Sequence, residues 1–251
     1  MKIIVLPDIH GRAFWKSAHE HIEQCDRVVF LGDYFDPYGF EGISVIDAID
    51  NFGEILQFAK EYPEKVVMLL GNHDMPYFSE QYRDLSRYHC RMSIEWYSAI
   101  AKIFDDNREM FKVAHVEDGI LFTHAGCSAQ WLKSIQVEPD DLSDLVTKLN
   151  ALPLTNEGLR QLYMVSYHRG GDNYAGSCMW ADVEELVNTP IDLHIAGSPI
   201  KQVFGHTLQV DYDRTGNLVS GAPITTPLLK MLDNRCAYLI DTTSFTHEAL
   251  L

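Results

Sequence analysis

Val66-Val67-Met68-Leu69-Leu70-Gly71-Asn72-His73-Asp74 is the stretch whose reading decides the fold. The apolar run reads as a buried strand, Gly71 ends it, and an amide, an imidazole and a carboxylate follow at once. In open α/β sheets, ligands gather beyond the carboxyl ends of strands. The same event recurs along the chain. Ile3-Ile4-Val5-Leu6-Pro7 delivers Asp8 and His10, and Val28-Val29-Phe30-Leu31-Gly32 delivers Asp33 and Asp36. Ile120-Leu121-Phe122-Thr123 delivers His124, and Val203-Phe204-Gly205 delivers His206. This recurrence predicts an α/β protein that works at the ends of its strands.

Composition sets the frame. At 251 residues and 46% hydrophobic content, with no linker, repeat or low-complexity tract, the chain reads as one domain over 1–251. A helical insert is expected at about 76–108 and a helical and loop insert at about 128–199. The formal charge of −16 would repel a polyanion, so polymeric nucleic acid is not an expected partner. A small phosphorylated substrate is compatible, because a bound cation inverts the local field. Cys25, Cys90, Cys127, Cys178 and Cys236 are scattered and form no C-x-x-C pair, which fits a reducing compartment. The apolar run after Lys2 is too short for a signal-peptide core, and no stretch has membrane-spanning length. A cytoplasmic protein without a membrane partner is the expectation.

Local patterns place the remaining elements. Residues 12–24 and 43–60 read as helices, with Asp47, Asp50 and Glu54 on a solvated face. Residues 76–108 are helical and rich in aromatics, which suits core packing. Residues 110–115 and 119–123 read as a hairpin turning at Glu117-Asp118-Gly119. Short helices fill 128–164, a strand covers 200–204, and short strands follow in 208–251 with turns at 215–217 and 233–234. The Gly-rich loop Ser166–Gly176 carries Arg169, whose guanidinium suits a phosphate oxygen; the same loop also fits an ordinary surface connection. Asp182 is placed to cap the helix after it. His19 and His21 fit a solvated helix face, and His247 has no expected function.

The chemistry follows from the residues at the strand ends. In extended backbone Asp8 and His10 point the same way and can reach one ion. Asp8, His10, Asp33, Asn72, His124 and His206 offer mixed oxygen and nitrogen donors without thiolate. That set suits Mn, Fe, Zn, Co or Ni, with Mn favoured. The set exceeds one tetrahedral site, so two divalent ions are expected. Asp8, His10 and Asp33 hold the first, Asp33 bridges, and Asn72, His124 and His206 complete the second. A metal-bridging hydroxide would then attack phosphorus in line. His73, beside the ligand Asn72, is free to protonate the leaving oxygen, and Asp36 can fix its tautomer. Asp36 also fits a turn before Pro37. Cys127 and Ser128 carry no sign of activation as nucleophiles.

In order, Asp8-Ile9-His10-Gly11, Gly32-Asp33 with Asp36, Gly71-Asn72-His73-Asp74, His124-Ala125-Gly126 and Gly205-His206-Thr207 resemble the motif blocks of calcineurin-like metallophosphoesterases. The resemblance implies a four-layer α/β/β/α sandwich with two mixed β-sheets flanked by helices. It implies the same six ligands and the Asp36–His73 pair. Many members end in G-H-x-H, and here Leu208 replaces the last His. That absence, with Met179-Trp180-Ala181-Asp182, resembles the phosphoprotein phosphatase and diadenosine tetraphosphatase branch. The branch typically has Arg immediately after the second Asp of its G-D block, where this chain has Pro37. Substrate gripping therefore shifts to Arg12 or Arg169. The implied activity is a dimetal phosphatase on a phosphorylated small molecule, nucleotide or phosphoprotein. A nucleotide phosphodiesterase or pyrophosphohydrolase on the same centre is the alternative. A non-catalytic scaffold would have lost a ligand or the proton donor, and none is missing.

Overall fold

The computed structural model describes residues 1–85, 91–195, 198–207, 211–212, 218–219, 228–230, 237–242 and 246–249, with side chains over 1–85, 91–194, 200–207 and 237–242. The apolar runs become the strands β1 (Lys2–Leu6), β2 (Arg27–Phe30), β3 (Val66–Leu69), β4 (Phe111–Lys112), β5 (Ala114–Glu117) and β6 (Ile120–Thr123). After them come β7 (His194–Ile195), β8 (Ser198–Pro199), β9 (Lys201–Phe204), β10 (Asp211–Tyr212) and β11 (Leu218–Val219). The last are β12 (Leu228–Lys230), β13 (Tyr238–Asp241) and β14 (Thr246–Ala249).

One sheet runs β14-β13-β1-β2-β3-β4, parallel from β1 to β4 and antiparallel at β13 and β14. The second runs β12-β9-β6-β5, antiparallel only at β5–β6. Both are mixed. Alternation along the strands explains the layering. Ile3, Val5, Val29, Leu31, Val67 and Leu69 point one way and meet Ile120, Phe122 and Val203 of the second sheet in a single cluster. Ile4, Leu6, Val28, Phe30, Val66 and Met68 point the other way, under the helices. A strand buried on both faces reads as a continuous apolar run, as these do. On the outer face of the second sheet, Phe204 packs with Leu186 from the helix Val183–Asn188. The result is the four-layer α/β/β/α arrangement. Each fully buried Val, Leu or Ile in the seam between the sheets contributes about 1.5–3 kcal/mol.

The helix Val45–Glu61 buries Ala48, Phe52, Ile55 and Ala59 against the first sheet. Its start is set by Ser44 and Asp47, which cap each other's backbone N–H groups, so Asp47, exposed as expected, also caps the helix. The helix expected over 12–24 is shorter: Lys16–Glu20, then a 3₁₀ turn at Ile22–Gln24. The residues before it are used in the turn that the Arg12 N–H closes on the Ile9 carbonyl at 2.8 Å.

The hairpin expected from 110–115 and 119–123 is split between sheets. β4 joins the first sheet through β3, while β5 and β6 form the hairpin of the second, turning at Asp118 and Gly119, both at positive φ. The Asn150 side chain pins the crossover, accepting from the Val113 and Ala114 N–H groups and donating to the Ala114 carbonyl.

Residues 76–108 hold the helices Glu80–Leu85 and Ile94–Asp106 and most of Met75–Phe78. Their aromatics belong to the core: the Phe104 ring centroid lies 5.3 Å from Phe52 and 5.0 Å from Phe111. Tyr88 and Cys90 lie outside the described residues, as do Leu208, Cys236, the turns at 215–217 and 233–234 and the His247 side chain. Among the described residues, no helix is long and apolar enough to cross a membrane.

Candidate metal centre

The loops leaving β1, β2, β3, β6 and β9 are tied to one another before any side chain is considered. The His10 N–H donates to the Asp33 carbonyl at 2.6 Å, Gly11 N–H to Tyr34 at 2.9 Å, and Gly205 N–H to His124 at 2.8 Å. Side chains complete the weave. Asp8 accepts from the His206 N–H at 2.9 Å, and Asp33 from the His73 N–H at 2.9 Å. Asp74, buried, accepts from the N–H groups of Gly71, Asp33 and Tyr34 at 2.8, 2.7 and 2.9 Å. These approaches require glycine at two points. A Cβ on Gly71 would overlap Asp33, and one on Gly205 would overlap the Asp8 carboxylate.

Backbone strain is concentrated in the same loops. Asp8, His10, Asp33, Asp36 and His206 take φ of 39, 46, 56, 62 and 67°, five of the seven non-glycine residues at positive φ among those described. Each such conformation costs on the order of 1–2 kcal/mol. Strain gathered this way marks a functional site.

The structure brings all six expected ligands together and buries them. Their donor atoms fall into two groups, Asp8–His10–Asp33 and Asp33–His124–His206, and Asp33 belongs to both. In the first, His10 Nε2 lies 3.5 Å from Asp33 Oδ2. In the second, His124 Nε2 lies 2.8 Å from Asn72 Oδ1, 3.0 Å from His206 Nδ1 and 3.6 Å from Asp33 Oδ2.

Tautomers follow from the outer partners. His10 Nδ1 and His124 Nδ1 face the carbonyls of Phe35 and Leu31 at 2.8 and 2.9 Å, so each ring donates there and turns its Nε2 lone pair inward. Nitrogen, amide oxygen and carboxylate then face one another, with His206 turning its Nδ1 to the same buried point. Such convergence is repulsive until a cation sits in it, so the donor set fits a metal pair.

Protonation agrees. Burial pushes His10 down to about 3 and holds His124 below the ordinary histidine range; burial and then Arg169 hold His206 well below it. All three imidazoles are neutral donors near pH 7. Burial opposes charge on Asp33, but the surrounding His124, His73 and His10 prevail, and its carboxyl stays low and ionised. Burial thus removes competing protons from nitrogen, while the His73 N–H that donates to Asp33 favours its charged form whatever the state of the imidazoles.

Beside the donors lies a dyad. His73 Nδ1 is 2.9 Å from Asp36 Oδ2, and the other Asp36 oxygen accepts from the Tyr77 hydroxyl at 2.8 Å. Burial is the largest influence and works against the Asp36 charge, but His73, Tyr77 and Arg91 together outweigh it and keep the carboxyl below its usual range. The His73 ring stands edge-on to His10 at 5.2 Å and is one-fifth exposed, so Nε2 faces the opening.

Arg12 is buried, pairs with Glu41 at 3.0 Å and donates to the Asp8 carbonyl at 3.1 Å; it braces the first loop from behind. Arg169 is one-quarter exposed at the opposite rim, donating to the His206 carbonyl at 3.2 Å, with Asp182 3.7 Å away. Asp182 caps the helix Val183–Asn188, as its position suggested. Cys127 is buried and burial pushes its thiol up, so it is not an activated nucleophile.

Two residues escaped the sequence reading. Asp74 stands inside the Gly71–Asp74 block, and only its role was missed. Arg91 could not have been suspected, because nothing local places it beside Asp36, whose carbonyl accepts from its Nη1 at 2.6 Å.

The sequence matches the calcineurin-like phosphoesterase family over residues 1–210. No match to a curated protein sequence was found. Among solved structures the chain is similar to a cold-active protein-tyrosine phosphatase of a psychrophilic Shewanella species. That pair shares 16% identity at a TM-score of 0.51, covering 100% of this chain and 80% of the other. A serine/threonine phosphatase from Saccharomyces cerevisiae aligns at 16% identity and a TM-score of 0.51, covering 96% of this chain and 72% of the other. At these identities the likeness establishes the fold alone. The chain belongs to the calcineurin-like phosphoesterase family and is a metal-dependent phosphoesterase.

Proposed function

We propose that this calcineurin-like phosphoesterase cleaves phosphomonoesters. In this reading Asp8, His10, Asp33, Asn72, His124 and His206 hold two divalent cations, and His73 protonates the leaving oxygen. The observation that carries it is the Asp33 carboxylate, shared by two groups of converging donors with the His73–Asp36 dyad open beside them. Bound there, the ions would supply hydroxide near neutral pH and neutralise the phosphoryl oxygens.

The protein's own groups do the rest. The His73 Nδ1–H donates to Asp36, which fixes the tautomer and leaves Nε2 as the atom that exchanges a proton with the leaving group. Tyr77 holds Asp36 from behind, so the dyad keeps its geometry between turnovers. The buried imidazoles and the amide of Asn72 supply neutral donors, so the negative charge of the site rests on Asp8 and Asp33. Mn is the first ion to test, with Fe, Zn, Co and Ni next, because the donors are oxygen and nitrogen only. Small phosphate esters, nucleotides and phosphoproteins are the candidate substrates.

The test is turnover of Mn-loaded protein on p-nitrophenyl phosphate, its bis-ester, an alkyl phosphate and a dinucleoside polyphosphate. Hydrolysis of both monoesters is expected, with His73→Ala losing activity chiefly on the alkyl ester, whose leaving group needs the proton. Hydrolysis confined to the diester or the polyphosphate would replace this reading with the nucleotide one. No hydrolysis in any metal would make the fold a scaffold.

A further inference from the structure

We propose that Arg91 is the residue that grips the transferring phosphoryl group and tunes the site for dianionic monoesters over diesters. The inference rests on the phosphatase reading above and adds to it a residue and a substrate preference.

Three observations meet at Arg91. Nη1 donates to the Asp36 carbonyl at 2.6 Å. The guanidinium carbon lies 4.0 Å from the centroid of the Tyr38 ring, and Tyr38 in turn stands 5.4 Å from the His10 ring. Nη2 reaches to 3.5 Å from His73 Nε2, the ring nitrogen that faces the opening. The first two contacts fix the plane and the direction of the fork, so little freedom remains to be lost on binding. The third shows where the free edge points. At 3.5 Å an imidazole nitrogen is a poor acceptor, at the limit of a hydrogen bond. A phosphoryl oxygen is a far better partner for a guanidinium, and one placed at ordinary hydrogen-bond distance from Nη2 would also lie within reach of His73.

The other two guanidiniums near the site are committed. Arg12 is paired with Glu41 and Arg169 sits beside Asp182, whereas Arg91 has no carboxylate partner among the described residues. Its charge is therefore available beside a site whose own charged side chains, Asp8, Asp33 and Asp36, are carboxylates. The simpler account, a surface arginine resting on a tyrosine, predicts no influence on phosphate affinity or on substrate preference.

The preference follows from the substrate's charge. A monoester presents three terminal oxygens and two negative charges near neutral pH. A diester has one of those oxygens alkylated and carries one charge. An extra fixed cation beside the proton donor therefore favours the monoester.

The experiment compares wild type, Arg91→Ala and Arg91→Lys, all Mn-loaded, on p-nitrophenyl phosphate and its bis-ester, with inorganic phosphate binding by calorimetry and metal content by mass spectrometry. Arg91→Ala should lose roughly 10- to 100-fold in kcat/KM on the monoester, the range for one charge-assisted hydrogen bond, and less than about 3-fold on the diester. Phosphate should bind correspondingly more weakly, metal content should not change, and Lys should recover part of the loss. Equal losses on both substrates, unchanged phosphate affinity, or a loss that tracks metal content would overturn the proposal. If wild type cleaves neither ester, the phosphatase reading fails by itself. The calorimetry then still decides Arg91: weaker phosphate binding in Arg91→Ala upholds the grip, and equal binding refutes it.

Discussion

Asp74→Asn is the substitution that best separates scaffolding from chemistry in this site. Asp74 touches no candidate metal group; it accepts three backbone N–H groups that belong to the loops after β2 and β3. Two of them, from Asp33 and Gly71, share Oδ2, and the third, from Tyr34, goes to Oδ1. An asparagine of the same shape can keep its oxygen toward the shared pair, but its NH₂ then meets the Tyr34 N–H, donor against donor. Turning the amide over is worse, because two donors then face the NH₂. Burial, with Asp33 beside it, holds the Asp74 carboxyl well above its ordinary range, so the change is counted in hydrogen bonds and not in charge. One buried N–H left unpaired costs about 1–3 kcal/mol, a sizeable part of the 5–15 kcal/mol typical of a domain. Asp74→Ala would orphan all three groups and is expected not to fold. Urea denaturation of chelator-treated Asp74→Asn reads the loss directly, without competition from metal binding. Metal affinity should fall as well, since Asp33 and Asn72 ride on the loops that Asp74 joins. A destabilisation below about 0.5 kcal/mol would show that the loops hold themselves and that the bonds to Asp74 are incidental.

Other substitutions probe the same logic elsewhere. Asp33→Asn should abolish binding of both ions, as counted by metal analysis, because its carboxylate belongs to both donor groups; retention of one full equivalent would deny the shared carboxylate. Gly205→Ala should push a methyl group into Asp8 and lower metal content while the first sheet stays folded by circular dichroism; normal loading would mean that Asp8 has room to yield. His115, far from the site, is held by burial at about 4, below its ordinary 6.5, and its buried Nε2 lies 3.4 Å from Glu117 without hydrogen-bond geometry. Between those values the unfolded chain takes up a proton that the folded chain refuses, so this contribution is present above pH 6.5 and is lost as pH falls. His115→Leu should therefore flatten the fall in stability between pH 6.5 and 4 by up to about 1.4 kcal/mol per pH unit. Denaturant midpoints across that range that stay parallel to wild type would refute it.

What could be read from the sequence was local. Each candidate ligand follows a short apolar run, and strand followed by turn is a pattern carried within about ten residues, so the placement of these side chains at the strand ends was legible. The layering came with the family resemblance, and the unbroken apolar runs of strands buried on both faces agree with it. Events that depend on distant partners were not. The chain passes between sheets at Val113 because Asn150, from another helix, satisfies the amides there. The helix near residue 16 starts late because Arg12 closes a turn onto Ile9. Arg12 itself looked like a substrate ligand because the sequence does not show Glu41 waiting beside it. Arg91 stayed hidden for the same reason, since its significance lies wholly in Asp36, Tyr38 and His73.

The left-handed backbone at Asp8, His10, Asp33, Asp36 and His206 has a further consequence. Backbone bonds between the loops, from His10 to Asp33 and from Gly205 to His124, hold these bends without recourse to an ion, so a cradle shaped ahead of loading is expected. Loading then resembles dropping a keystone into a finished arch: little of the chain has to move, and what changes is the relief of mutual repulsion among the inward-facing groups. Metal-free and metal-bound protein should thus share one backbone and differ mainly in how hard that backbone is to pull apart.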